Sequence, residues 1–435
     1  MRHHHVILAL ASTSLTLFAG ACNETNLVGA QFVSNPVTDV EGDTQYTYTP
    51  IVAGSFPPDT IFTLLAGPAG MVAAADGEVT WNPTFADLGV HAVELQVTDG
   101  EVLAVQAWDV SVHQNLLFGV SYSPLGHTGS TVTQDEDDFA TEHATFGRLV
   151  GYSGSWRDSL SSAGTIPIFA SDAMDEAVSR GFETVIGFQW ADDSGNPDLL
   201  SDGDGADNSW SNQETRDEFL MTVEGFALMY QPRYLFLGDE VNTWALTHPG
   251  DWADWLTELE DCANAIVAVS PLTCVFTTFQ LEHMKGLGSG TQGWMDAPQW
   301  NLVDDLEAGG FLHGVGFTSY PHFEYAAPGA MPMGYYTEIA AHWTGQSYFT
   351  EIGWAGAANA PYPGSPTDQD AFVGQFISQT EGMPVEMALW LYLHDFDGQG
   401  ATPAFTDMGL RSNDGMVIRP AEATWSAAVL LRERP

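Results

Sequence analysis

The chain has 435 residues, 44% of them hydrophobic with 14 tryptophans, and carries 57 acidic against 11 basic residues for a formal charge of -46. That length exceeds the usual span of one hydrophobic core and the composition is far from that of a disordered chain, so two folded domains are expected. A field of this sign excludes nucleic acid, anionic membrane surfaces and polyanionic polysaccharides as partners and leaves neutral or cationic ones.

The first 22 residues read as an address. Arg2 and the three histidines after it precede the apolar run Val6 to Phe18, which is too short for a membrane span. Ala19-Gly20-Ala21-Cys22 resembles a bacterial lipoprotein cleavage site. That likeness implies acylation of Cys22, membrane association through the lipid and a place in the bacterial cell envelope, with release as a secreted protein as the alternative. Beyond Cys22 only Cys262 and Cys274 remain. Export permits a disulfide between them, and two unpaired cysteines are the other reading.

Residues 23–37 read as a polar linker. From 38 to 112 short strand-like runs alternate with Gly, Pro and Asp signals, and His91 to Val97 alternates in polarity as a half-buried strand does. This predicts a small all-β sandwich. Its Asp76-Gly77-Glu78-Val79-Thr80-Trp81-Asn82-Pro83 and Thr98-Asp99-Gly100 segments resemble the immunoglobulin-like and cadherin-like modules of bacterial surface proteins, which implies a spacer or adhesion role.

From 113 to 435 the rhythm changes. Apolar strand candidates recur at Leu116–Tyr122, Gly147–Ser153, Thr184–Trp190, Tyr234–Glu240, Thr273–Phe279, Gly314–Tyr320, Tyr348–Trp354 and Glu386–Tyr392. Candidate helices between them include Arg216–Tyr230, Asp251–Ala268 and Asp368–Glu381. Eight strand-plus-helix repeats predict an α/β fold, the (β/α)8 TIM barrel. An open doubly wound sheet is disfavoured by the absence of a glycine fingerprint or phosphate loop. The acidic stretch 192–208 offers closely spaced oxygen donors for a structural calcium ion, but no glutamate completes a recognised calcium loop, and a solvated acidic loop is preferred. No other metal site and no required cofactor is expected.

In such a barrel the reacting groups stand where strands end. Glu240 closes the fourth predicted strand and Glu351 stands near the end of the seventh, each at the edge of an apolar segment where a solubilising glutamate has little reason to be. Two carboxylates facing each other across the barrel mouth suit acid-assisted attack on a glycosidic bond.

The fourth-strand glutamate and Thr350-Glu351-Ile352-Gly353-Trp354 resemble the catalytic signatures of the retaining (β/α)8-barrel glycosidase clan that includes cellulases, mannanases and galactanases, over roughly residues 116–432. The resemblance implies that Glu240 is the acid/base and Glu351 the nucleophile in hydrolysis of a neutral β-linked glycan. It also implies that Tyr320 orients the nucleophile and that Trp390 is the platform beneath the sugar. Trp156, Trp190, Trp244, Trp354, His283 and His322, near predicted strand ends, are candidate subsite residues, with scaffold packing as the other reading for each. One departure stands out. The clan commonly has asparagine immediately before its acid/base, where this chain has Asp239, which accepts hydrogen bonds but donates none when ionised. A catalytically silent glycan-binding surface protein is therefore the alternative function. A monomer is expected.

Overall fold

The computed structural model describes residues 31–53, 60–98, 100, 103–114, 116–123, 145–156, 174–175, 177–189, 209–288, 297–396 and 403–432. The address segment with Cys22, Trp190 and the acidic stretch 192–208 lie outside the described residues.

Nine strands precede the barrel: β1 (Gln31–Phe32), β2 (Asp39–Glu41), β3 (Tyr46–Tyr48), β4 (Val52–Ala53), β5 (Ile61–Ala66), β6 (Val72–Ala73), β7 (Val79–Trp81), β8 (Gly89–Thr98) and β9 (Leu103–His113). They form a sheet of order β2-β9-β8-β5, a sheet of order β3-β7-β6 and the pair β1-β4. Alternation on β8 buries Val93, Leu95 and Val97 on one face. Tyr46, Tyr48 and Trp81 supply buried aromatic bulk from β3 and β7, and the Trp108 indole N–H donates to the Tyr46 hydroxyl at 3.0 Å. By compactness, 46–81 and 92–109 form one unit, whereas 39–45 and 82–91 group with the residues from Val110 onward.

The remaining strands are β10 (Leu117–Ser121), β11 (Leu149–Ser155), β12 (Glu183–Gln189), β13 (Tyr234–Leu237), β14 (Cys274–Phe276), β15 (Thr278–Gln280), β16 (Gly314–Ser319), β17 (Gln346–Ile352) and β18 (Val385–Trp390). They make one sheet, β14-β13-β12-β11-β10-β18-β17-β16-β15, with every pair parallel. The fifth barrel strand is split at Thr277, so β14 pairs with β13 and β15 pairs with β16. Gly316 donates its N–H to Thr277 O at 2.8 Å, which closes the ring. The result is a TIM-barrel-like fold.

Parity along the strands sorts the core into two layers. Tyr234, Phe236, Phe276, Tyr348, Met387 and Leu389 form the inner cluster, while Leu235, Leu237, Phe317, Phe349, Ala388 and Trp390 belong to the larger outer one. Aromatic rings inside a closed barrel leave no room opposite them. A Cβ on Gly187 would lie 1.9 Å from the Phe236 ring, so glycine is obligatory on β12.

Among the described residues the helices set out in full are α1 (Gln213–Tyr230), α2 (Val241–Thr247), α3 (Trp252–Val269), α4 (Leu281–Met284), α5 (Asn301–Gly309), α6 (Pro366–Gln379) and α7 (Pro420–Arg432). Local chemistry sets their starts. The Asn212 side chain accepts the Glu214 N–H at 2.9 Å at the head of α1, and Ser365 accepts the Asp368 N–H at 3.1 Å beside the N-terminal proline of α6. The expected helices over 216–230, 251–268 and 368–381 agree with α1, α3 and α6 to within three residues.

Of the two readings of Cys262 and Cys274, the structure has the unpaired one, both being free thiols. Cys262 lies on the buried face of α3, well before the helix end, and donates to Glu258 Oε1 at 3.2 Å. Cys274 opens β14 and packs against the inner cluster. The two side chains thus face different layers. Melting curves with and without a thiol reductant are expected to superimpose, and a fall of several degrees on reduction would show that a bridge exists after all.

Candidate active site

β13 ends at Leu237, three residues before Glu240 rather than at it. The chain turns through Gly238 at φ 79° and places Glu240 in the left-handed region, φ 49° and ψ 45°, as the N-cap of α2. A non-glycine residue held there costs on the order of 1 kcal/mol or more, a strain met more often at functional turns than at neutral ones. Tertiary bonds hold it in place. The Glu240 N–H donates to Thr278 Oγ1 at 3.0 Å, and the Thr318 hydroxyl donates to the Glu240 carboxylate at 2.6 Å.

Glu351 reaches the mouth by a register shift. On β17 Tyr348 points into the barrel and Phe349 points out, so strict alternation would turn Glu351 outward and Ile352 inward, yet Ile352 also points out. Between β16 and β17 the pairing runs Phe317↔Phe349 and then Thr318↔Glu351, so one extra residue is accommodated on β17. This bulge reverses parity and brings Glu351 to the hydroxyl of Tyr320, which donates to its carboxylate. Tyr320 is itself almost fully buried, edge-on to Phe405 at 5.0 Å.

Asp239 completes the cluster. It accepts the Thr278 hydroxyl at 2.6 Å and the Gln189 side-chain amide at 3.2 Å. Burial raises the pKa of Asp239. Burial and then the Asp239 charge push Glu240 up to about 8. Glu351 lies well above the usual carboxylate range, first through burial, then through Asp239, with the Tyr320 hydroxyl opposing and Glu240 adding to the rise. Three mutually repelling carboxylates thus share one partly desolvated mouth, and burial and repulsion hold each above its ordinary range.

The other predicted side chains lie elsewhere. Trp390, expected as the sugar platform, is fully buried in the outer layer. Its indole N–H donates to Met408 O at 2.8 Å and its ring packs on Phe372 of α6 and Trp425 of α7. Two-residue parity from Leu389, which points inward, requires this. Trp156 is buried edge-on to Phe219 of α1, and Trp354 is buried against Phe372. Trp244 stacks on His248 and donates to Asp251 at 3.1 Å. Asp251 also accepts the Trp210 N–H at 2.9 Å, so it ties the segment before α1 to α2 and α3. His322 is wholly buried among Tyr320, Phe323, Trp354 and Tyr362, and burial lowers its pKa to about 4, which keeps it neutral. His283 is buried on α4.

Several residues that sequence reasoning passed over stand at the site. Thr278, Thr318 and Gln189 hold the acids, and Glu282 acts electrostatically on Glu240. Tyr392 is partly exposed, stacks on Phe396 and has its hydroxyl pKa raised by burial and by the Glu351 charge. It is an aromatic surface next to Glu351, two residues past the tryptophan first expected there. Threonines leave no distinctive trace in a sequence, whereas a glutamate three residues past the strand candidate Thr273–Phe279 is a signal that could have been used.

A TIM-barrel-like fold with buried carboxylates at its mouth is the class the structure defines, and that fold is shared with solved glycosidases. Among solved structures, the chain resembles a GH5_18 protein of Bifidobacterium longum subsp. longum in complex with Manβ1-4GlcNAc, at TM-score 0.54 and 13% identity over 74% of this chain and 80% of that one. It also resembles an exo-β-1,4-mannosidase of Opitutaceae bacterium strain TAV5, at TM-score 0.52 and 14% identity over 72% of this chain and 59% of that one. A third is a β-glycosidase, at TM-score 0.50 and 14% identity over 74% of this chain and 98% of that one. At such identities the likeness is one of fold. No family model and no curated protein sequence matches.

Proposed function

We propose that the barrel is a retaining glycoside hydrolase acting on a neutral β-linked polysaccharide or oligosaccharide. The observation that carries this reading is the pair of acids at the barrel mouth, Glu240 held by the Thr318 hydroxyl and Glu351 by that of Tyr320, near enough to act on each other electrostatically.

A Glu351 carboxylate oxygen would attack the anomeric carbon. As the glycosidic bond breaks, its electron pair passes to the leaving oxygen, which takes the proton of Glu240. Water would then attack the same carbon, give its proton to Glu240 and expel Glu351 with its electron pair, so that configuration is retained. Tyr320 would hold Glu351 for in-line attack, and Tyr392 offers an apolar face to a sugar ring. No cofactor enters this chemistry. Export with a lipid at Cys22 belongs to the same proposal, since a polymer too large to cross a membrane is met outside the cell.

The test is hydrolysis of a panel of neutral β-glycans, with the anomeric configuration of the first product read by proton NMR. Cleavage with retention supports the reading. Inversion refutes the double displacement, and a folded protein that binds a glycan but cleaves none favours the silent alternative.

Acid catalysis requires Glu240 protonated, and its pKa is about 8. Since kcat/KM reports the free enzyme, its basic limb is expected near pH 8, with activity lost above it as Glu240 ionises. A basic limb near pH 5, where an ordinary carboxylate titrates, would remove Glu240 from the acid role.

A further inference from the structure

Glu282 is a carboxylate for which the mechanism above has no use. It is fully buried on the short helix α4 and takes four donors. Oε1 accepts the hydroxyls of Ser319 at 2.9 Å and Tyr335 at 2.6 Å, while Oε2 accepts the Gln280 side-chain amide at 2.7 Å and the Tyr320 N–H at 2.9 Å. Taking a carboxylate out of water costs several kcal/mol unless its lone pairs are filled, and here they are. A glutamine would fit only by turning its NH2 toward the Ser319 and Tyr335 hydroxyls and making them acceptors, and it would remove the charge.

Two of these donors come from the end of the sixth barrel strand. Ser319 is the last residue of β16 and Tyr320 follows it, the residue whose hydroxyl meets Glu351. Ser319 O also accepts the N–H of Gly353, two residues past Glu351. Glu282 therefore grips the backbone from which the orienting tyrosine projects, and that backbone is tied in turn to the strand bearing the nucleophile. On its other side Tyr335 links it to Lys285, the single lysine of the sequence. The Lys285 ammonium donates to Tyr335 O at 2.5 Å, lies 4.3 Å from the centre of the Tyr335 ring and pairs with Glu338 at 2.7 Å. The cation on this network is thus engaged by Glu338, and the Glu282 charge is met by neutral donors.

We infer that Glu282 is a positioning residue of this site: its buried carboxylate fixes the end of β16 so that the Tyr320 hydroxyl orients Glu351. This rests on the glycosidase reading and adds to it a residue that touches no substrate. The charged groups acting on Glu240 are Asp239, Glu282 and, across the mouth, Glu351, with Thr318 as hydrogen-bond donor. Around Glu282 stand Tyr320, Tyr325, Tyr335 and Tyr336, whose hydroxyls burial keeps un-ionised through neutral pH.

The test compares Glu282→Gln, Glu282→Asp and Tyr335→Phe with wild type on a glycan that the wild type cleaves. For Glu282→Gln, kcat is expected to fall about tenfold or more, as loss of hydrogen bonds to a charged group does, while KM changes by less than about twofold. The basic limb of kcat/KM is expected to move to lower pH, and Glu282→Asp to recover part of kcat. A folded Glu282→Gln with wild-type kcat and limb overturns the inference. So does a loss shared between kcat and KM with the limb unmoved, the mark of a merely structural role. If Glu282→Gln does not fold, Tyr335→Phe decides, with a smaller kcat loss in the same direction expected and an unaltered kcat overturning. If wild type cleaves no glycan, the glycosidase reading itself fails. Crystal structures of wild type and Glu282→Gln then decide: a Tyr320 hydroxyl that leaves Glu351 supports the positioning role, and one that stays refutes it.

Discussion

Glu351→Ala is expected to lower turnover by about 10⁴-fold or more on whichever β-glycan the wild type cleaves, because removal of a nucleophile abolishes the covalent route and leaves only binding and electrostatics. Glu240→Ala is expected to cost about 10²- to 10⁴-fold, the range of a lost general acid, and least on substrates with a good leaving group. Azide separates the two roles. In Glu351→Ala it fills the space below the anomeric carbon and should give a glycosyl azide of inverted configuration. In Glu240→Ala it should intercept the covalent intermediate and give the retained one. Wild-type turnover in either variant would remove the proposed site.

The same substitutions are expected to stabilise the fold at neutral pH. Glu240 and Glu351 have raised pKa values in the folded chain. Above the ordinary carboxylate pKa the native state binds more protons than the unfolded one, so these groups cost stability as pH rises from about 4.5, fully so once their folded pKa values are passed. Neutral replacements remove that cost. A Glu240→Gln variant that melts below wild type at pH 8 and not at pH 4 would contradict this sign. Repulsion at the mouth is therefore stability given up for protonation, as strained functional sites commonly show.

The second large effect concerns Arg419, just before α7. Its guanidinium pairs with Asp395 through two bonds of 2.7 and 2.6 Å and also donates to Gly409 O, all of it buried. Gly356 permits this, since a Cβ there would lie 2.3 Å from Arg419 Nε. Arg419→Met would leave Asp395, whose pKa burial already raises, without its cation. The expected loss is about 3–5 kcal/mol, read as a lower urea midpoint for the barrel transition. Replacing Asp395 by leucine in the same chain should recover much of it, because the penalty belongs to the unpaired charge. A single variant within about 1 kcal/mol of wild type would show that water reaches this pair.

The general arrangement was legible in the sequence because each barrel strand is an apolar run between turn signals, and such runs do not depend on long-range contacts for recognition. Eight of them at barrel spacing, with Glu240 and Glu351 at the fourth and seventh, carried both the fold and the choice of acids. The ends of the runs were less legible. Tyr234 to Glu240 reads as one strand, yet Gly238 turns the chain, because a glutamate capping α2 in left-handed geometry is held by Thr278 and Thr318, which are distant in sequence.

What the sequence by itself determined was therefore which residues lie on strands and which two acids stand at their ends. Facing was decided by the tertiary structure, because parity in a sheet inverts with a single inserted residue. The bulge in β17 turns Glu351 inward, while alternation from Met387 to Trp390 in β18 turns Trp390 out against α6 and α7. Cys262 and Cys274 were likewise separated by the layers they face, and Glu282 was drawn into the site by four donors that only the closed barrel assembles.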